Sequence, residues 1–477
     1  MKITDKRTKL VATIGPSSDN YNVLKQLVEN GVTTIRANFS HGSHEEQSNK
    51  FKIAKEVSKE LKIPVSLMLD TKGPEIRIGK MKDGAQLVEA GTEILIHTTN
   101  EKYASLEGTS NEITVAYDMA KDLVVGNQVL IDDGKLSTVV IEVGEGYVRV
   151  KAENTHKLKT NKRVNLPGVD FSLPFLAEKD INDVKFGIKE GINYVAASFV
   201  NSAKNVKELR QLLDENGGEH VQIISKIESH LGCMNIDEII EASDGIMVAR
   251  GDLGLEIPYY DVPYYQKKMI RKCREAGKLV IVATQMLDSM ENSPHPTRAE
   301  VTDVYYAVEL GADSTMLSGE SANGNFPVEA VKTMTAISKR AEKEFYSRNY
   351  YERQLEKVWE NSNQNDKRTK IAYEIAQKAK SREYKYIVVL SRTGELLKRV
   401  AKFRPNSLVI GVLDNEKLLG GFGAYSSVFV SVDSKNLFSE IKKDTSKAEL
   451  ALVPYGIQSG DKFLVVENEK ITEEVVK

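Results

Sequence analysis

The sequence predicts an α/β fold: a (β/α)₈ TIM barrel with an inserted small β-barrel domain and a C-terminal α/β domain. Two observations carry this prediction. Eight short apolar runs alternate with amphipathic stretches, which is the pattern of parallel strands covered by helices. After the third run, β-rich sequence interrupts the alternation until about Glu178. The pattern leaves an open doubly wound sheet as the alternative to a closed barrel.

The barrel is predicted to occupy residues 1–72 and 173–345. Its strands are expected at Lys9–Ile14, Thr33–Phe39, Val65–Leu69, Tyr194–Phe199, Val221–Ser225, Gly245–Ala249, Leu279–Ala283 and Ser314–Leu317. Its helices are expected at Asn20–Asn30, Asp180–Lys189, Asn205–Asn216, Asp237–Ala242, Tyr264–Ala276 and Arg298–Leu310. Ser43 and Thr297 each precede a glutamate by three residues, the spacing of a capping box at the start of a helix.

The interruption, residues 73–172, is predicted to form a separate small β domain inserted in a barrel loop, because a structureless loop of this length is improbable in a compact protein. Its clearest strands are Glu93–His97, Gln128–Ile131, Ser137–Ile141 and Tyr147–Val150. Residues 346–477 are predicted to form the third, α/β domain. Its strands are expected at Tyr386–Leu390, Ser407–Leu413, Ser427–Val432, Leu450–Val453 and Lys462–Val466, with a helix at Glu395–Phe403.

Composition excludes several classes of protein. The 66 Lys and Arg residues nearly balance the 68 Asp and Glu residues, so there is no basic field of the kind that drives nucleic-acid binding. No apolar run is long enough for a membrane span, and the first residues lack the apolar core of a signal peptide, so we expect a cytoplasmic protein. Cys233 and Cys273 are too few for a disulfide framework or a four-ligand zinc site.

Residues suited to binding lie at or just after the C-terminal ends of most of the predicted barrel strands, where the active sites of such barrels lie. They are Arg36, Asn38 and Ser40, Asp70 and Thr71, Ser198, Lys226 and Glu228, Gly251 and Asp252, Thr284, and Ser318 with Glu320. Any one of them has an ordinary interpretation, since a strand-end Asp or Ser often caps a turn and Lys226 with Glu228 could be a structural ion pair. Their convergence at one end of the barrel instead favours an active site.

The residue types indicate phosphoryl chemistry on an acidic substrate. Glu228 and Asp252 are oxygen ligands suited to Mg²⁺. Arg36 and Lys226 would spread positive charge over phosphoryl oxygens in a loose transition state. Four further oxygen donors are consistent with a second, weakly charged cation: Asn38, Ser40, Asp70 and Thr71. Free backbone amides at Gly251 and Asp252 could hold a carboxylate.

These residues stand in motifs that resemble those of the pyruvate kinase family, of the bacterial type. The motifs are Ile35–Gly42, Leu69–Arg77, Val164–Gly168, Ile223–Glu228, Met247–Gly254, Ala283–Leu287 and Met316–Glu320. The resemblance implies transfer of the phosphoryl group of phosphoenolpyruvate to ADP, giving pyruvate and ATP, in a homotetramer that uses Mg²⁺ or Mn²⁺ and K⁺. A barrel lyase that handles phosphoenolpyruvate or pyruvate, and a catalytically silent binding protein, are the alternatives.

The resemblance also implies roles for single residues. It assigns Lys226 to the phosphoryl group in transfer, Arg36 to phosphate, Glu228 and Asp252 to Mg²⁺, and Thr284 with the Gly251 and Asp252 amides to the substrate carboxylate. Thr284, Ser318 and Glu320 belong to the route that protonates the enolate. The implied K⁺ ligands are Asn38, Ser40, Asp70 and Thr71, and the implied nucleotide-binding residues are Asn38, His41, Arg77 and Lys162. Glu75 stands where K⁺-requiring members carry glutamate and cation-independent members carry lysine, and the inserted domain would act as a lid.

The C-terminal domain resembles the family less closely. Ser391, Arg392, Thr393 and Gly394 occupy the place of an effector site for a sugar phosphate and could form an anion-binding turn. Glu395 follows directly and would repel a phosphate group. The family's glycine- and threonine-rich loop near the C-terminus is also missing, so the sequence disfavours activation by a sugar bisphosphate.

Overall fold

The computed structural model describes residues 6–170 and 172–477. Eight parallel strands close into a barrel: β1 (Lys9–Thr13), β2 (Thr34–Asn38), β3 (Ser66–Asp70), β13 (Tyr194–Ala197), β14 (Gln222–Ile227), β15 (Gly245–Ala249), β16 (Leu279–Ala283) and β17 (Ser314–Leu317). Their order around the barrel is β1-β17-β16-β15-β14-β13-β3-β2. The closed barrel, and not the open sheet, is therefore the correct alternative.

Alternation along each strand separates two apolar layers. On β1, the side chains of Leu10 and Ala12 face the surrounding helices, whereas Val11 belongs to the cluster inside the barrel. Met68 and Met247 extend that inner cluster from β3 and β15. Since a strand places successive side chains on opposite faces, strands buried on both faces are mainly apolar, as β15 and β16 are throughout. Strands β2 and β14 also carry buried polar residues, among them Arg36 and Lys226.

Helices follow the barrel strands. They are α1 (Tyr21–Glu29), α2 (His44–Leu61), α4 (Glu178–Lys189), α5 (Ala203–Asp214), α6 (His230–Met234), α7 (Ile236–Ala242), α8 (Arg250–Glu256), α9 (Val262–Ala276), α10 (Arg298–Glu309), α11 (Gly319–Ala322) and α12 (Pro327–Phe345). The long ones cover the outside of the barrel, and short ones such as α8 and α11 lie at the strand ends. Both predicted capping boxes are present, at Ser43 before α2 and at Thr297 before α10. Helix α9 ends at Gly277, whose φ of 73° is the left-handed conformation that favours glycine at a helix end.

Between β3 and α4 the chain forms the inserted β domain, which includes helix α3 (Asn100–Ser105). Its strands are β4 (Ile76–Arg77), β5 (Ala85–Val88), β6 (Glu93–His97), β7 (Glu112–Thr114), β8 (Gln128–Ile131), β9 (Leu136–Gly144), β10 (Tyr147–Ala152), β11 (His156–Lys159) and β12 (Arg163–Asn165). Seven of them form one sheet with β4 and β7 at its edges, and β5 pairs with β11. A bridge between Ile78 and Val115 joins the two edges, which gives the sheet its barrel character around an apolar core.

The C-terminal residues form a domain built on a five-stranded sheet. Its elements are α13 (Arg348–Glu360), α14 (Lys367–Ala379), β18 (Tyr384–Ser391), α15 (Glu395–Phe403), β19 (Leu408–Leu413), β20 (Val428–Val430), α16 (Ser434–Lys443), α17 (Glu449–Leu452), β21 (Lys462–Glu467) and β22 (Lys470–Val475). The strand order is β20-β19-β18-β21-β22, in which only β22 is antiparallel. The predicted βαβ unit is confirmed. Strand β22 and helix α16 were not predicted, because charged residues interrupt their short apolar stretches.

The strand predicted at Leu450–Val453 is wrong. These residues lie in helix α17 and in the 3₁₀ turn that follows it. Ala448, Ala451 and Leu452 are buried, whereas Leu450 and Val453 are 44% and 62% exposed. This spacing buries one face of a helix, and the apolar run resembled a strand only because its two exposed members are apolar as well.

The C-terminal domain closes the N-terminal end of the barrel. Thr33, Tyr194, Gln222 and Ser314 each donate a side-chain hydrogen bond of 2.6 to 2.8 Å to a backbone carbonyl within residues 420–424. These four buried side chains are thereby satisfied, and the C-terminal domain covers this end of the barrel, opposite the strand ends that carry the predicted site. In the described ranges, no helix is both long and apolar enough to cross a membrane.

Candidate active site

Lys226 is the centre of the site. It lies on β14 near the C-terminal end of the barrel and is only 8% exposed. Its ammonium group donates to Ser198 Oγ at 2.7 Å and to Asp70 Oδ1 at 3.0 Å, and it lies 3.0 Å from Glu228 Oε1. Burial lowers the pKa of this amine, but Asp70 and Glu228 outweigh burial and raise it above its usual value. The amine is therefore held as a cation in a dry setting.

Arg36 reaches the same centre from β2. Its Nε donates to Asp70 Oδ2 at 2.8 Å and its Nη1 donates to Thr13 Oγ1 at 2.7 Å. Asp70 thus accepts from Arg36 with one oxygen and from Lys226 with the other. Despite burial, the two cations keep the pKa of this carboxyl below its usual range. Asp70 therefore fixes both positive groups on one side of the site.

Glu228 and Asp252 form a carboxylate pair beside Lys226. Phe199 N–H donates to Glu228 Oε2 at 2.7 Å, and Arg163 Nη1 donates to Asp252 Oδ1 at 2.5 Å. Burial, followed by Asp252, raises the pKa of Glu228 to about 7 although Lys226 opposes the shift. Burial also acts to raise the pKa of Asp252, but Arg163 and Lys226 outweigh burial and lower it. Arg163 comes from β12 of the inserted domain, and the sequence analysis missed it.

The donor set of this pair fits a divalent cation. Burial and, after it, the charge of Asp252 raise the pKa of Glu228, and Mg²⁺ between the two carboxylates would remove their repulsion. Mg²⁺ usually takes one or two protein carboxylates and completes its octahedron with water and phosphate oxygens. The described residues contain no cluster of three or more His, Cys, Asp or Glu side chains suited to a metal.

The other predicted oxygen donors lie close by. Asn38 Oδ1 accepts from Ser40 N–H at 3.0 Å, which closes a tight turn after β2. Thr71 Oγ1 accepts from Ser198 N–H at 3.0 Å. Asp70 is the last residue of β3, which lies between β2 and β13. Asn38, Ser40 and Asp70 line the cavity that Lys226 occupies, whereas Thr71 does not.

That cavity has a volume of about 310 Å³ and lies between the barrel mouth and the inserted domain. The barrel supplies Arg36, Asn38, Ser40, His41, Asp70, Lys72, Ser198, Phe199, Lys226, Glu228 and Asp252, and the inserted domain with its entry supplies Glu75, Arg77, Asp132, Asp133, Lys162 and Arg163. Lys162 Nζ lies 2.8 Å from Asp132 Oδ1, and Arg77 Nη2 lies 2.9 Å from Glu75 Oε2. The predicted nucleotide-binding residues Asn38, His41, Arg77 and Lys162 therefore share one cavity.

Thr284 borders the site at the end of β16 in a strained conformation. Its φ of 67° is rare for a β-branched residue, and Gln285 follows with φ 52°. Arg250 Nη2 holds both residues by donating to Thr284 O at 2.7 Å and to Gln285 O at 3.2 Å, while its Nη1 donates to Asp303 Oδ2 at 2.5 Å. Thr284 Oγ1 accepts from Gly251 N–H at 2.7 Å, next to Asp252. The strain is thus maintained by Arg250, which the sequence analysis did not assign.

Ser318 and Glu320 follow β17. Glu320 is 2% exposed and accepts from Ser318 N–H at 2.7 Å and from Leu287 N–H at 3.0 Å, so it connects the ends of β17 and β16. Burial raises the pKa of its carboxyl. Ser318 Oγ is buried and, within the described ranges, has no hydrogen-bond partner. A buried hydroxyl left without a partner favours a bound water or ligand atom at this point.

The predicted effector turn lies far from this cavity, between β18 and α15. Ser391 Oγ accepts from Gly394 N–H at 3.0 Å, and Gly394 has a φ of 79°. Thr393 Oγ1 accepts from Glu395 N–H at 3.4 Å, and Arg392 Nε lies 3.6 Å from Asp414 Oδ2. These hydroxyls are engaged by the turn itself.

Comparison with known proteins agrees with this geometry. The family model described as "Pyruvate kinase, barrel domain" matches residues 5–331. The chain belongs to the pyruvate kinase family. The pyruvate kinase of Mycoplasma pneumoniae is 49% identical over 372 residues, which cover 72% of this chain and 73% of that protein. The pyruvate kinase of Mycoplasma genitalium is 41% identical over 485 residues, covering 93% and 92% of the two chains.

A solved structure extends the likeness to the whole fold. The crystal structure of a pyruvate kinase from Cryptosporidium parvum matches with a TM-score of 0.92 and 36% identity, and the match covers 100% of this chain and 97% of that one. Membership in the pyruvate kinase family makes this chain a phosphotransferase, and it confirms the family predicted from the strand-end motifs.

Proposed function

We propose that this chain transfers the phosphoryl group of phosphoenolpyruvate to ADP, giving pyruvate and ATP, with Mg²⁺ and K⁺ as cofactors. The observation that carries the proposal is the buried Lys226 ammonium group, which lies in one cavity with Arg36 and with the carboxylate pair Glu228 and Asp252. Positive charge aimed at a phosphoryl group is the main demand of its loose transition state.

In this proposal Arg36 and Lys226 bind the phosphoryl oxygens, and Lys226 stabilises the charge that spreads over them during transfer. Glu228 and Asp252 would hold Mg²⁺, which neutralises phosphate charge when bound. Asn38, Ser40, Asp70 and Thr71 would hold K⁺. Thr284 and the amides of Gly251 and Asp252 orient the substrate carboxylate. The amide of Gly251 must then exchange its bond to Thr284 Oγ1 for one to the substrate.

Proton delivery to the enolate is assigned to the end of the barrel formed by β16 and β17. Thr284, Ser318 and Glu320 are the groups proposed for this route. Burial raises the pKa of Glu320, and the Ser318 hydroxyl, which has no hydrogen-bond partner among the described residues, could receive a water between them.

Nucleotide binding is assigned to Asn38, His41, Arg77 and Lys162, under an inserted domain of residues 73–172 that acts as a lid and excludes water. We further propose a barrel of residues 1–72 and 173–345, a C-terminal domain of residues 346–477, a homotetrameric assembly and a cytoplasmic location. Ser391–Gly394 remain a candidate phosphate site.

The proposal is tested by following pyruvate formation from phosphoenolpyruvate and ADP, with Mg²⁺ and K⁺ present or left out in turn. We expect pyruvate only with both substrates and Mg²⁺. Pyruvate formed without ADP would show that water, not ADP, accepts the phosphoryl group, and the absence of pyruvate in the complete mixture would reject the proposal.

Glu75 yields a prediction about the monovalent cation. Glu75→Lys should make activity largely independent of K⁺, because a fixed ammonium group would supply the charge that K⁺ supplies otherwise. The ratio of turnover with K⁺ to turnover with a bulky organic cation measures this, and it should fall towards one. Glu89→Lys, an exposed charge reversal in the same domain, should keep the ratio of the parent protein. An unchanged K⁺ requirement in Glu75→Lys would contradict the prediction.

A further inference from the structure

The first turn of α4 lies where the chain passes between the barrel and the inserted domain. Asp180, in this turn, is 1% exposed. Its Oδ1 accepts from Lys72 N–H at 3.1 Å and from Gly73 N–H at 3.2 Å, on the segment that leaves the barrel. Its Oδ2 accepts from Ala177 N–H at 3.2 Å, on the segment that returns. The Asp180 carboxylate therefore binds both chain segments that connect the barrel to the inserted domain.

No Lys or Arg side chain forms an ion pair with Asp180 in the described parts of the chain. Burial raises the pKa of this carboxyl, Asp183 raises it further, and the three backbone N–H groups oppose the shift. The carboxylate is thus held only by backbone amides. We call the two segments that connect the barrel to the inserted domain, residues 70–75 and 174–180, the hinge; Lys72 and Gly73 supply two of these amides and Ala177 the third. Burying a carboxylate without a cationic partner costs free energy, and the three backbone hydrogen bonds offset that cost.

The hinge that Asp180 holds contacts the active site directly. Gly73 has a φ of 68°, and a Cβ atom there would lie 2.7 Å from Ser198 Cβ. Ser198 Oγ accepts from Lys226, and the next amide, that of Phe199, donates to Glu228. Gly73 thus packs closely against Ser198, the residue that accepts from Lys226.

The same helix also fixes the loop after β2. Lys179 Nζ donates to Phe39 O at 2.7 Å and to Asp183 Oδ2 at 2.6 Å. His44 Nε2 lies 2.7 Å from Asp183 Oδ1, and the His44 ring stacks on Phe186 with centroids 4.2 Å apart. The loop between Phe39 and His44 carries Ser40 and His41, so one end of α4 holds the lid hinge and this loop together.

We propose that Asp180 is a positioning residue that sets the hinge of the inserted domain, so that the groups carried by that domain meet the barrel mouth. The contact of Arg163 with Asp252 and the position of Lys162 depend on this setting. The effect on nucleotide binding rests on the proposed function, whereas the hinge itself does not.

The test compares the full-length chain with Asp180→Asn and Asp180→Ala. Amide hydrogen exchange of the peptides that contain residues 70–75 and 174–180 reports the hinge without reference to activity. We expect the exchange rate there to rise about 10-fold in Asp180→Ala, because the hinge opens locally while exchange in the rest of the chain stays unchanged. The exchange rates of Asp180→Asn should lie between those of the parent chain and Asp180→Ala. The carbonyl oxygen of the asparagine can still accept from Lys72 and Gly73, whereas its NH₂ group would face another donor at Ala177.

Kinetics supply the second measurement. KM for ADP should rise about 10-fold in Asp180→Ala while KM for phosphoenolpyruvate changes less than about 2-fold, because the barrel side of the site stays intact. Glu178→Gln, an exposed charge change in the same turn of α4, should leave exchange and both KM values as they are.

Asp313→Asn is the control for general destabilisation. Asp313 is a buried carboxylate at the closed end of the barrel that accepts from Val280 N–H and Ser426 N–H. The proposal is overturned by unchanged hinge exchange in Asp180→Ala, or by kinetics that match those of Asp313→Asn at equal loss of thermal stability. If the parent chain formed no pyruvate, the proposed function would fail, and hinge exchange alone would still decide the role of Asp180.

Discussion

Lys226→Met is expected to lower kcat by about 10³-fold or more while substrate still binds, because the charge it removes acts chiefly on the transition state. Methionine has nearly the length of lysine and fills the same volume. The decisive observation is the near-complete burial of the ammonium group among Asp70, Ser198 and Glu228. Pyruvate formation measures kcat, and equilibrium binding of phosphoenolpyruvate measures the ground state.

The same change should also destabilise the protein. Asp70 and Glu228 would lose a cation in a buried setting, a kind of loss that costs about 3–5 kcal/mol where the remaining charge is uncompensated. Arg36 still pairs with Asp70, which limits the cost. Lys226→Arg, which keeps the charge but moves it, separates the two effects: it should retain more stability than Lys226→Met. A variant Lys226→Met that raised KM and kept kcat would contradict the role given to Lys226.

Glu228→Gln is expected to lower activity by about 10²-fold or more at ordinary Mg²⁺ concentrations, because the site would lose one of its two anionic oxygen ligands. The introduced glutamine would still accept from the Phe199 amide through its carbonyl oxygen, so the backbone should stay in place. The Mg²⁺ concentration at half-maximal activity measures the effect, and it should rise.

Glu256→Gln is the matched control for that prediction. Glu256 is a carboxylate close to Asp252, and Asn165 donates to it at 3.2 Å. Burial raises the pKa of Glu256, and this side chain does not line the cavity that holds Glu228 and Asp252, so the loss of its charge should change the Mg²⁺ requirement little. If Glu256→Gln raised the Mg²⁺ requirement as much as Glu228→Gln, the assignment of the metal to the Glu228 and Asp252 pair would be wrong.

Much of the fold could be predicted because its barrel strands are buried on both faces. Such strands are mainly apolar, and this makes each one recognisable in the sequence even where it carries a buried polar residue such as Arg36 or Lys226. The inserted and C-terminal domains were predicted less completely. Strands such as β4 and β22 are short or carry exposed charges, and α17 presents Leu450 to solvent, so local pattern alone did not identify them.

For the candidate site too, the sequence predicted some features and the tertiary structure decided others. The sequence alone determined which residues lie at the barrel mouth, since parallel strands in a closed barrel bring their carboxyl ends together whatever the loops do. Arg36, Lys226, Glu228 and Asp252 followed from this rule. Tertiary structure alone decided their partners. Arg163 meets Asp252 across 89 positions of sequence, and Asp180 meets Gly73 across 107. Contacts of that kind depend on how two domains pack, and no local pattern of residues encodes a distance between them.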